Sequence, residues 1–197
     1  VRRRVAVIVT TGGPPSAFAA KAATATIPVV FLVGEDTARL GLVASLARPS
    51  GNLTGINLFA NELEAKRLEL LRELVPRAAR IAVLVNPADV TNTETTLRDV
   101  GAAARALGLE IRVFKARTSR EIDAAFETIG HERPDALFVG SFAFFNTRRV
   151  QLVQLAAFHR LPATYVFRES VEAGGLMSYG PSIVDAYRQL AVYAGRI

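Results

Sequence analysis

Hydrophobic residues along the chain change their spacing between residues 80 and 114. Residues 81–85 form an unbroken apolar run, which is typical of a strand buried on both faces of a sheet. After a polar loop, apolar positions recur at three- and four-residue steps as far as Leu107, which predicts a helix, and Gly108 stands where a helix ends in the left-handed conformation. Alternation over residues 109–113 then predicts a second strand. Strand, helix and parallel strand make a right-handed crossover unit.

This alternation of strand and helix patterns repeats about seven times along the chain, with no long hairpin. Such an order predicts an α/β protein with parallel sheets flanked by helices. Short extended segments near Gly55 and Tyr179 interrupt the order and indicate crossing points between two lobes, and Gly55 would suit a hinge. The predicted strands cover residues 5–9, 29–33, 52–56, 81–85, 109–113, 135–139, 163–167 and 176–179.

Capping patterns predict where several helices begin. A polar residue that accepts a hydrogen bond from the first turn, with a carboxylate three residues on, is the usual signature. A short helix over residues 40–47 is also predicted, from apolar positions alone. The capped helices are predicted after Asn61 with Glu64, after Thr118 with Glu121, and after Ser182 with Asp185, and one more is predicted to begin at Asn146.

The composition of the 197 residues is half hydrophobic and 21% charged, which allows a sizeable core in one large domain or two small lobes. No apolar stretch approaches the roughly 20 residues of a membrane helix. Cysteine is absent, which excludes disulfides and thiolate chemistry. The net charge is +6, with arginines clustered at residues 2–4 and 148–149. Because aromatic residues do not alternate with these arginines, we favour arginine-rich helix faces over a nucleic-acid or membrane surface.

The start of the chain does not read as a secretory signal, because its apolar run at residues 5–9 is short and a Gly/Pro-rich turn follows. The chain has no initiator methionine and begins almost inside a strand. We therefore expect the beginning of the gene product to be absent.

Candidate chemistry is collected from the residues that follow each strand, since ligands of open parallel sheets bind beyond the carboxyl ends of the strands. These residues are rich in hydroxyls, amides and aromatic rings and poor in acid–base groups, which favours binding over catalysis. No metal or cofactor site is predicted: His131 and His159 lack partners at ligand spacing, and no serine sits in a nucleophile elbow. The ligand-binding candidates are Thr10, Thr11, Gly12, Asp36, Asn86, Ser141, Phe142, Tyr165, Ser178 and Tyr179.

Each candidate has a structural alternative. Residues 10–13, ahead of a helix, either present N–H groups and hydroxyls to an anion or make a tight turn that needs glycine; the spacing is not that of a P-loop. Asp36 either pairs with a ligand ammonium or caps the following helix. Asn86 either binds ligand or shapes the Asn-Pro turn, which we favour slightly. The aromatic candidates either line an apolar pocket or pack in the core.

Five segments of the chain together resemble ABC-transporter substrate-binding proteins of the tryptophan/tyrosine-binding type, and the resemblance covers nearly the whole chain. They are residues 22–31, residues 41–46, Gly51-Asn-Leu-Thr-Gly55, Glu64-Ala-Lys-Arg-Leu-Glu-Leu-Leu-Arg-Glu-Leu-Val-Pro76 and Glu172-Ala-Gly-Gly-Leu-Met-Ser-Tyr-Gly180.

The resemblance implies a type I periplasmic-binding fold, in which two α/β lobes joined by crossing strands hold a ligand in the cleft. Lobe I would comprise residues 1–55 and 180–197, and lobe II residues 56–179. It also implies an extracytoplasmic protein, periplasmic or membrane-anchored, with a signal sequence and further β–α units before residue 5 and a crossing strand after residue 197. A lobe I without those units would expose an unpaired sheet edge, which favours self-association.

The resemblance also implies how the candidates act. Hydroxyls and helix N-termini would take the carboxylate of an amino acid, Asp36 would take its ammonium, and aromatic rings would flank its side chain. Where the family commonly has Asp-Pro, this chain has Asp36-Thr37, so the resemblance does not fix the shape of this loop. The ligand would contact both lobes and favour the closed state.

The first hypothesis is therefore the solute-binding component of an ABC importer, with a permease and a small carboxylated ligand as partners and without nucleic acid. Two alternatives stay open. A ligand-sensing transcriptional regulator would use the same lobes and would need a DNA-binding headpiece. A small-molecule enzyme would need an acid–base pair at a strand end, and only Glu35, Asp36 and Arg168 are placed for such chemistry.

Overall fold

The computed structural model describes residues 5–49 and 51–197, so the arginine cluster at residues 2–4 lies outside the described part. All strand pairs in these ranges are parallel, and helices connect successive strands except β2 and β3, which confirms the predicted α/β class. The strands are β1 (Ile8–Thr10), β2 (Val29–Val33), β3 (Leu53–Asn57), β4 (Arg80–Val85), β5 (Glu110–Lys115), β6 (Ala136–Val139), β7 (Ala163–Tyr165) and β8 (Met177–Ser178). The helices are α1 (Pro14–Ala23), α2 (Glu64–Leu74), α3 (Val90–Ala106), α4 (Ser119–Glu132), α5 (Ala143–Thr147), α6 (Arg149–Phe158), α7 (Arg168–Glu172) and α8 (Ile183–Gly195), with a 3-10 turn at Asn61–Leu63 before α2.

The chain divides into two compact units, Val1–Phe59 with Ser182–Ile197, and Ala60–Pro181. We call them unit 1 and unit 2. None of the helices in the described ranges is both long and apolar enough to cross a membrane.

Unit 1 contains the three-stranded sheet β1-β2-β3, packed against α1 and α8. Strand β2 is central and buried along its whole length, as its apolar run predicts. Strand β3 pairs with β2 over five residues, so Gly55 lies inside a sheet and opposite Phe31. A Cβ added at Gly55 would stand 2.2 Å from the Phe31 carbonyl oxygen, which shows that close strand packing requires glycine here.

The helix predicted over residues 40–47 is wrong, because this segment forms turns and bends. The backbone N–H groups of Leu42 and Val43 both donate to the Thr37 carbonyl, and Gly41 has φ 70°. Leu42 and Val43 are buried in the unit 1 core. The apolar residues of this segment therefore belong to a loop that packs on the core, not to one face of a helix.

Unit 2 contains the five-stranded sheet β5-β4-β6-β7-β8. The chain runs from β4 outward to β5 and then returns past β4 to β6. Because crossovers are right-handed, this reversal places α3 on one face of the sheet and α4 and α6 on the other. Helix α2 packs against α3, and α4 packs against α6. Strand β4, which lies between β5 and β6, is buried from Ile81 to Val85.

Helix boundaries in unit 2 follow the sequence only in part. Thr118 accepts a hydrogen bond from the Glu121 N–H, and Gly108 has φ 66°, both as predicted; in unit 1, Ser182 likewise caps α8. The cap predicted at Asn61 is wrong, because the Asn61 side chain is buried and donates to the Asn92 side chain instead. The helix predicted from Asn146 is also wrong in its boundaries, because two helices, α5 and α6, cover this stretch.

We predict that Gly55→Ala lowers the free energy of unfolding by about 1–3 kcal/mol, because the new methyl group would overlap the β2 backbone. Gly101→Ala is the matched control. A Cβ at Gly101, inside α3, would have its nearest neighbours at 3.7 and 3.8 Å. It should raise stability by about 0.5–1 kcal/mol, since alanine favours a helix. Urea unfolding followed by circular dichroism measures both; a neutral Gly55→Ala would contradict the packing described.

Candidate ligand-binding site

The strand order of unit 2 reverses between β4 and β6, and this reversal defines the place where open parallel sheets bind ligands. Asn86 directly follows β4, and Gly140 and Ser141 directly follow β6. Two predicted site residues, Asn86 and Ser141, therefore lie at the carboxyl ends of the two strands that flank the reversal. We call this edge the switch-point rim.

Asn86 shapes the turn that leads from β4 into α3. Its Oδ1 accepts from the Ala88 N–H at 3.0 Å, and its carbonyl accepts from the Thr93 hydroxyl at 2.7 Å. The side chain is 8% exposed. The turn-shaping alternative is thus present in the structure, while a ligand contact of Asn86 stays a prediction.

Ser141 is held by side chains through both of its backbone polar groups. Its carbonyl accepts from Asn92 Nδ2 at 2.7 Å, and its N–H donates to Glu64 Oε1 at 3.4 Å. Asn92 lies in the first turn of α3, and Glu64 is the first residue of α2. Both helices begin at the switch-point rim, which is why their first residues reach the loop after β6.

A cluster of buried polar side chains stands behind Ser141, and we call it the rim cluster: Asn61, Glu64, Arg67, Asn92 and Thr96. Glu64 Oε1 accepts from the Thr96 hydroxyl at 3.0 Å, and Asn61 Nδ2 donates to Asn92 Oδ1. Arg67 Nη2 lies 3.9 Å from Glu64 Oε1. These side chains connect α2, α3 and the loop after β6.

The charges of the rim cluster are fully buried. Burial raises the pKa of Glu64 to about 7, against the opposing attraction of Arg67 and the hydrogen bonds of Thr96 and Ser141. Burial also lowers the pKa of Arg67 to about 10. The Arg67 guanidinium lies 4.1 Å from the centre of the Phe138 ring, a cation–π contact that partly replaces its lost hydration.

The aromatic candidates Phe142 and Tyr165 pack in the core of unit 2. Phe142 is 5% exposed and makes an edge-on contact with Phe145 at 5.3 Å between ring centres. Both candidates line a cavity of about 20 Å³, room for little more than a water molecule. Burial raises the pKa of the Tyr165 hydroxyl. Core packing is thus the observed role, and ligand contact by either ring stays a prediction.

Ser178 and Tyr179 lie at the far end of the sheet. Ser178 in β8 pairs with Tyr165 in β7, and the Tyr179 N–H donates to the Tyr165 carbonyl. Strand β8 is separated from β6 by β7. The sheet therefore does not bring these two residues to the switch-point rim.

In unit 1, the turn after β1 offers fewer N–H groups than the sequence predicts. Gly12 donates its N–H to the Ser16 hydroxyl at 3.2 Å. Pro14 and Pro15 have no N–H, and the next two N–H groups of α1 donate to the Gly13 carbonyl. Gly13 has φ 79°, which gives the tight-turn alternative its physical reason. Of the hydroxyls, that of Thr10 is buried and Thr11 is exposed.

Asp36 follows β2, the strand next to β1, so Thr10 and Asp36 share one edge of the unit 1 sheet. Asp36 Oδ1 accepts from the N–H groups of Ala38 at 2.9 Å and Arg39 at 3.2 Å. The capping alternative is present, although it caps a turn rather than a helix. The residue is half-buried, and its contact with a ligand ammonium stays a prediction.

A model of the family described as "ABC transporter substrate binding protein" matches residues 1–197. This chain belongs to that family.

Relatives of this substrate-binding chain are longer than it is. The tyrosine-binding protein of Clostridioides difficile strain R20291 is 28% identical over 183 residues, 93% of this chain and 51% of that protein. The ABC domain of Streptococcus pneumoniae, solved in complex with L-Trp, has a TM-score of 0.72 at 24% identity, over 88% of this chain and 58% of that one. A conserved domain protein of Vibrio cholerae has a TM-score of 0.82 at 24% identity, over 99% and 64%. The two structural likenesses show the fold, and this chain spans about half the length of the curated relative.

Sequence reasoning did not single out the rim cluster of this family member. One signal was available: Arg67 shares a helical face with several leucines, and a charge on an apolar face points to a buried polar contact. The partners of Arg67 and Glu64 were not visible, because they come from Phe138 in β6, from α3 and from the loop after β6.

We predict that Glu64 makes stability depend on pH. Between its ordinary pKa of 4.5 and about 7, folded Glu64 keeps a proton that the unfolded chain has released. Stability therefore falls as pH rises through this window, by on the order of 1 kcal/mol per pH unit. Glu64→Gln should remove this contribution, as measured by urea unfolding across the window.

The control is Glu69→Gln on the same helix, a carboxylate whose side chain is 45% exposed and which pairs with Lys66. It should keep the pH slope of the unaltered protein. If the free energy of unfolding depended on pH equally in Glu64→Gln and in the unaltered protein, the raised pKa of Glu64 would be contradicted.

Proposed function

We propose that this chain belongs to the solute-binding component of an ABC importer and captures a small carboxylated ligand, an amino acid with an aromatic side chain. The observation that carries the proposal is the family match over residues 1–197. A relative named for tyrosine and a structural neighbour solved with L-Trp support the ligand class. The regulator and enzyme alternatives are not favoured, because the matching family is one of substrate-binding proteins.

The rim geometry supports binding without chemistry. Asn86 and Ser141 offer an amide and a hydroxyl at the switch-point rim of unit 2, while Thr10, Thr11, Gly12 and Asp36 stand at the carboxyl ends of β1 and β2. We assign the ligand carboxylate to the hydroxyls and N–H groups and its ammonium to Asp36. Phe142, Tyr165, Ser178 and Tyr179 complete the proposed set, with the rings and β8 bounding the ligand's side chain.

We further propose that the two units are lobes I and II, predicted at residues 1–55 with 180–197 and at 56–179, and that they close by a hinge. Phe59 has φ 50°, a conformation that costs a non-glycine residue free energy, and it is the last residue of unit 1 before Ala60. Strain at a boundary residue fits a hinge that changes its backbone angles. An extracytoplasmic location, an ABC permease as partner and self-association through the edge of β1 belong to the same proposal.

We predict that L-tryptophan or L-tyrosine raises the melting temperature of the full-length gene product. A ligand at 100 times its Kd adds about 2.7 kcal/mol to the stability of the folded state. A thermal-shift screen should include aromatic amino acids, their deaminated acids and, as the control, a neutral sugar. The sugar should give no shift. If no amino acid or aromatic acid raised the melting temperature, the proposed function would be wrong.

We predict that Asp36→Asn weakens L-tryptophan binding at least about tenfold and weakens indole-3-propionate binding far less, because only the amino acid has an ammonium group. Asparagine keeps the Oδ1 that accepts from Ala38 and Arg39, so the turn should survive. Titration calorimetry measures both Kd values.

Asp185→Asn is the matched control, since Asp185 is an exposed carboxylate of the same unit that pairs with Arg188. It should change neither Kd. Equal losses for both ligands in Asp36→Asn would remove Asp36 from the ammonium site.

A further inference from the structure

Ser141 occupies a loop whose two neighbours are anchored by other means. The Gly140 N–H donates to the Leu84 carbonyl at 2.9 Å, which continues the contact between β4 and β6. Phe142 is fixed by its ring in the unit 2 core. Between these anchors, the Ser141 carbonyl accepts from the Asn92 side chain and the Ser141 N–H donates to the Glu64 side chain.

The two side chains that hold Ser141 are themselves oriented by the rim cluster. Asn92 is 2% exposed and Glu64 is 0% exposed, so neither exchanges its contacts with bulk water. Asn61 donates to Asn92 Oδ1, which leaves the Nδ2 of the same amide to donate to the Ser141 carbonyl. Thr96 donates to the same Glu64 oxygen that accepts the Ser141 N–H.

We propose that Asn92 and Glu64 are positioning residues for ligand binding: they hold both backbone polar groups of Ser141, so that its hydroxyl stays at the switch-point rim. This inference rests on the proposed function, in which Ser141 contacts the ligand. A hydroxyl on a loop with two free backbone groups would sample several positions. The affinity of the site then depends on a residue that does not itself touch the ligand.

The cluster also links this loop to the start of unit 2. Asn61 is the second residue after the boundary at Phe59–Ala60 and is 5% exposed. Its amide reaches Asn92, and Asn92 reaches Ser141. The positioning of Ser141 thus begins at the segment where the chain enters unit 2.

The test measures the Kd of L-tryptophan and L-tyrosine for the full-length gene product by titration calorimetry. Asn92→Asp keeps the acceptor for Asn61 but removes the donor to Ser141, and it should raise Kd about tenfold. Glu64→Met removes the acceptor of the Ser141 N–H and should also raise Kd. Glu64→Gln restores an acceptor oxygen and should recover most of that loss.

Asn52→Asp is the matched control. Asn52 Nδ2 donates to the carbonyls of Thr24 and Ile27, at the amino ends of the unit 1 strands and so opposite the edge that carries Thr10 and Asp36. The same change there removes donors to backbone carbonyls, so it should lower stability and leave Kd unchanged. Hydrogen exchange over residues 140–146, compared with β4, reports whether the loop is loosened in a protein that remains folded.

The outcomes separate the inference from the function beneath it. Raised Kd with faster exchange at residues 140–146 and unchanged exchange in β4, together with recovery in Glu64→Gln, supports the inference. Unchanged Kd in Asn92→Asp and Glu64→Met, while the unaltered protein binds, overturns it alone. An unaltered protein that binds neither amino acid overturns the proposed function and the inference with it.

Discussion

The two contacts on the Ser141 backbone, from Asn92 and Glu64, are the interaction on which the proposed ligand-binding site depends. Burying polar and charged side chains is unfavourable unless each finds a partner. The rim cluster meets that requirement in part: Thr96 donates to Glu64 Oε1, Asn61 donates to Asn92, and the loop after β6 bonds to Asn92 and Glu64, while Glu64 Oε2 and the guanidinium nitrogens of Arg67 make no hydrogen bond within the described residues. The Arg67 guanidinium lies over the Phe138 ring and 3.9 Å from Glu64. Its positive charge opposes the rise in the Glu64 pKa that burial causes. The loop that carries Ser141 is therefore part of the interior polar structure, although it lies at the rim of a sheet.

The position of that rim follows from the order of the strands. The chain enters the unit 2 sheet at β4, goes outward to β5 and returns to β6, so connections leave β4 and β6 on opposite faces. The carboxyl ends of these two strands consequently stand apart from their crossover helices, which is where open parallel sheets bind ligands; Asn86 is buried at this edge and Ser141 is half-buried. Helices α2 and α3 begin at this edge, and their first residues form the cluster. The reversal of strand order and the rim cluster thus lie at the same edge of the unit 2 sheet.

Local pattern was sufficient for the parts of the fold that local physics determines. Continuous apolar runs predicted β2 and β4, because both strands are buried on both faces. The caps at Thr118 and Ser182 and the left-handed Gly108 were predicted because each is a contact within one helix end. The helix over residues 40–47 was predicted wrongly, since burial of Leu42 and Val43 by a turn gives the same apolar signal as a helix face. The cap at Asn61 was also predicted wrongly, because the partner of Asn61 is Asn92 rather than its own helix. Contacts such as Glu64 to Ser141, 77 residues apart along the chain, leave no periodic trace in the sequence.

The proposed binding residues divide in the same way. Asn86 and Ser141 could be proposed because strand ends can be read from the sequence, and Asp36 and Asn86 prove to have turn-forming contacts. The positioning residues Asn92 and Glu64 could not be predicted, because burial of a polar residue is decided by tertiary packing.

The most direct measurement is a crystal structure of the full-length gene product with L-tryptophan or L-tyrosine bound. We expect the amino acid to lie beyond the carboxyl ends of β4 and β6, within hydrogen-bond distance of Ser141. An amino acid bound elsewhere, with the loop after β6 untouched, would contradict it.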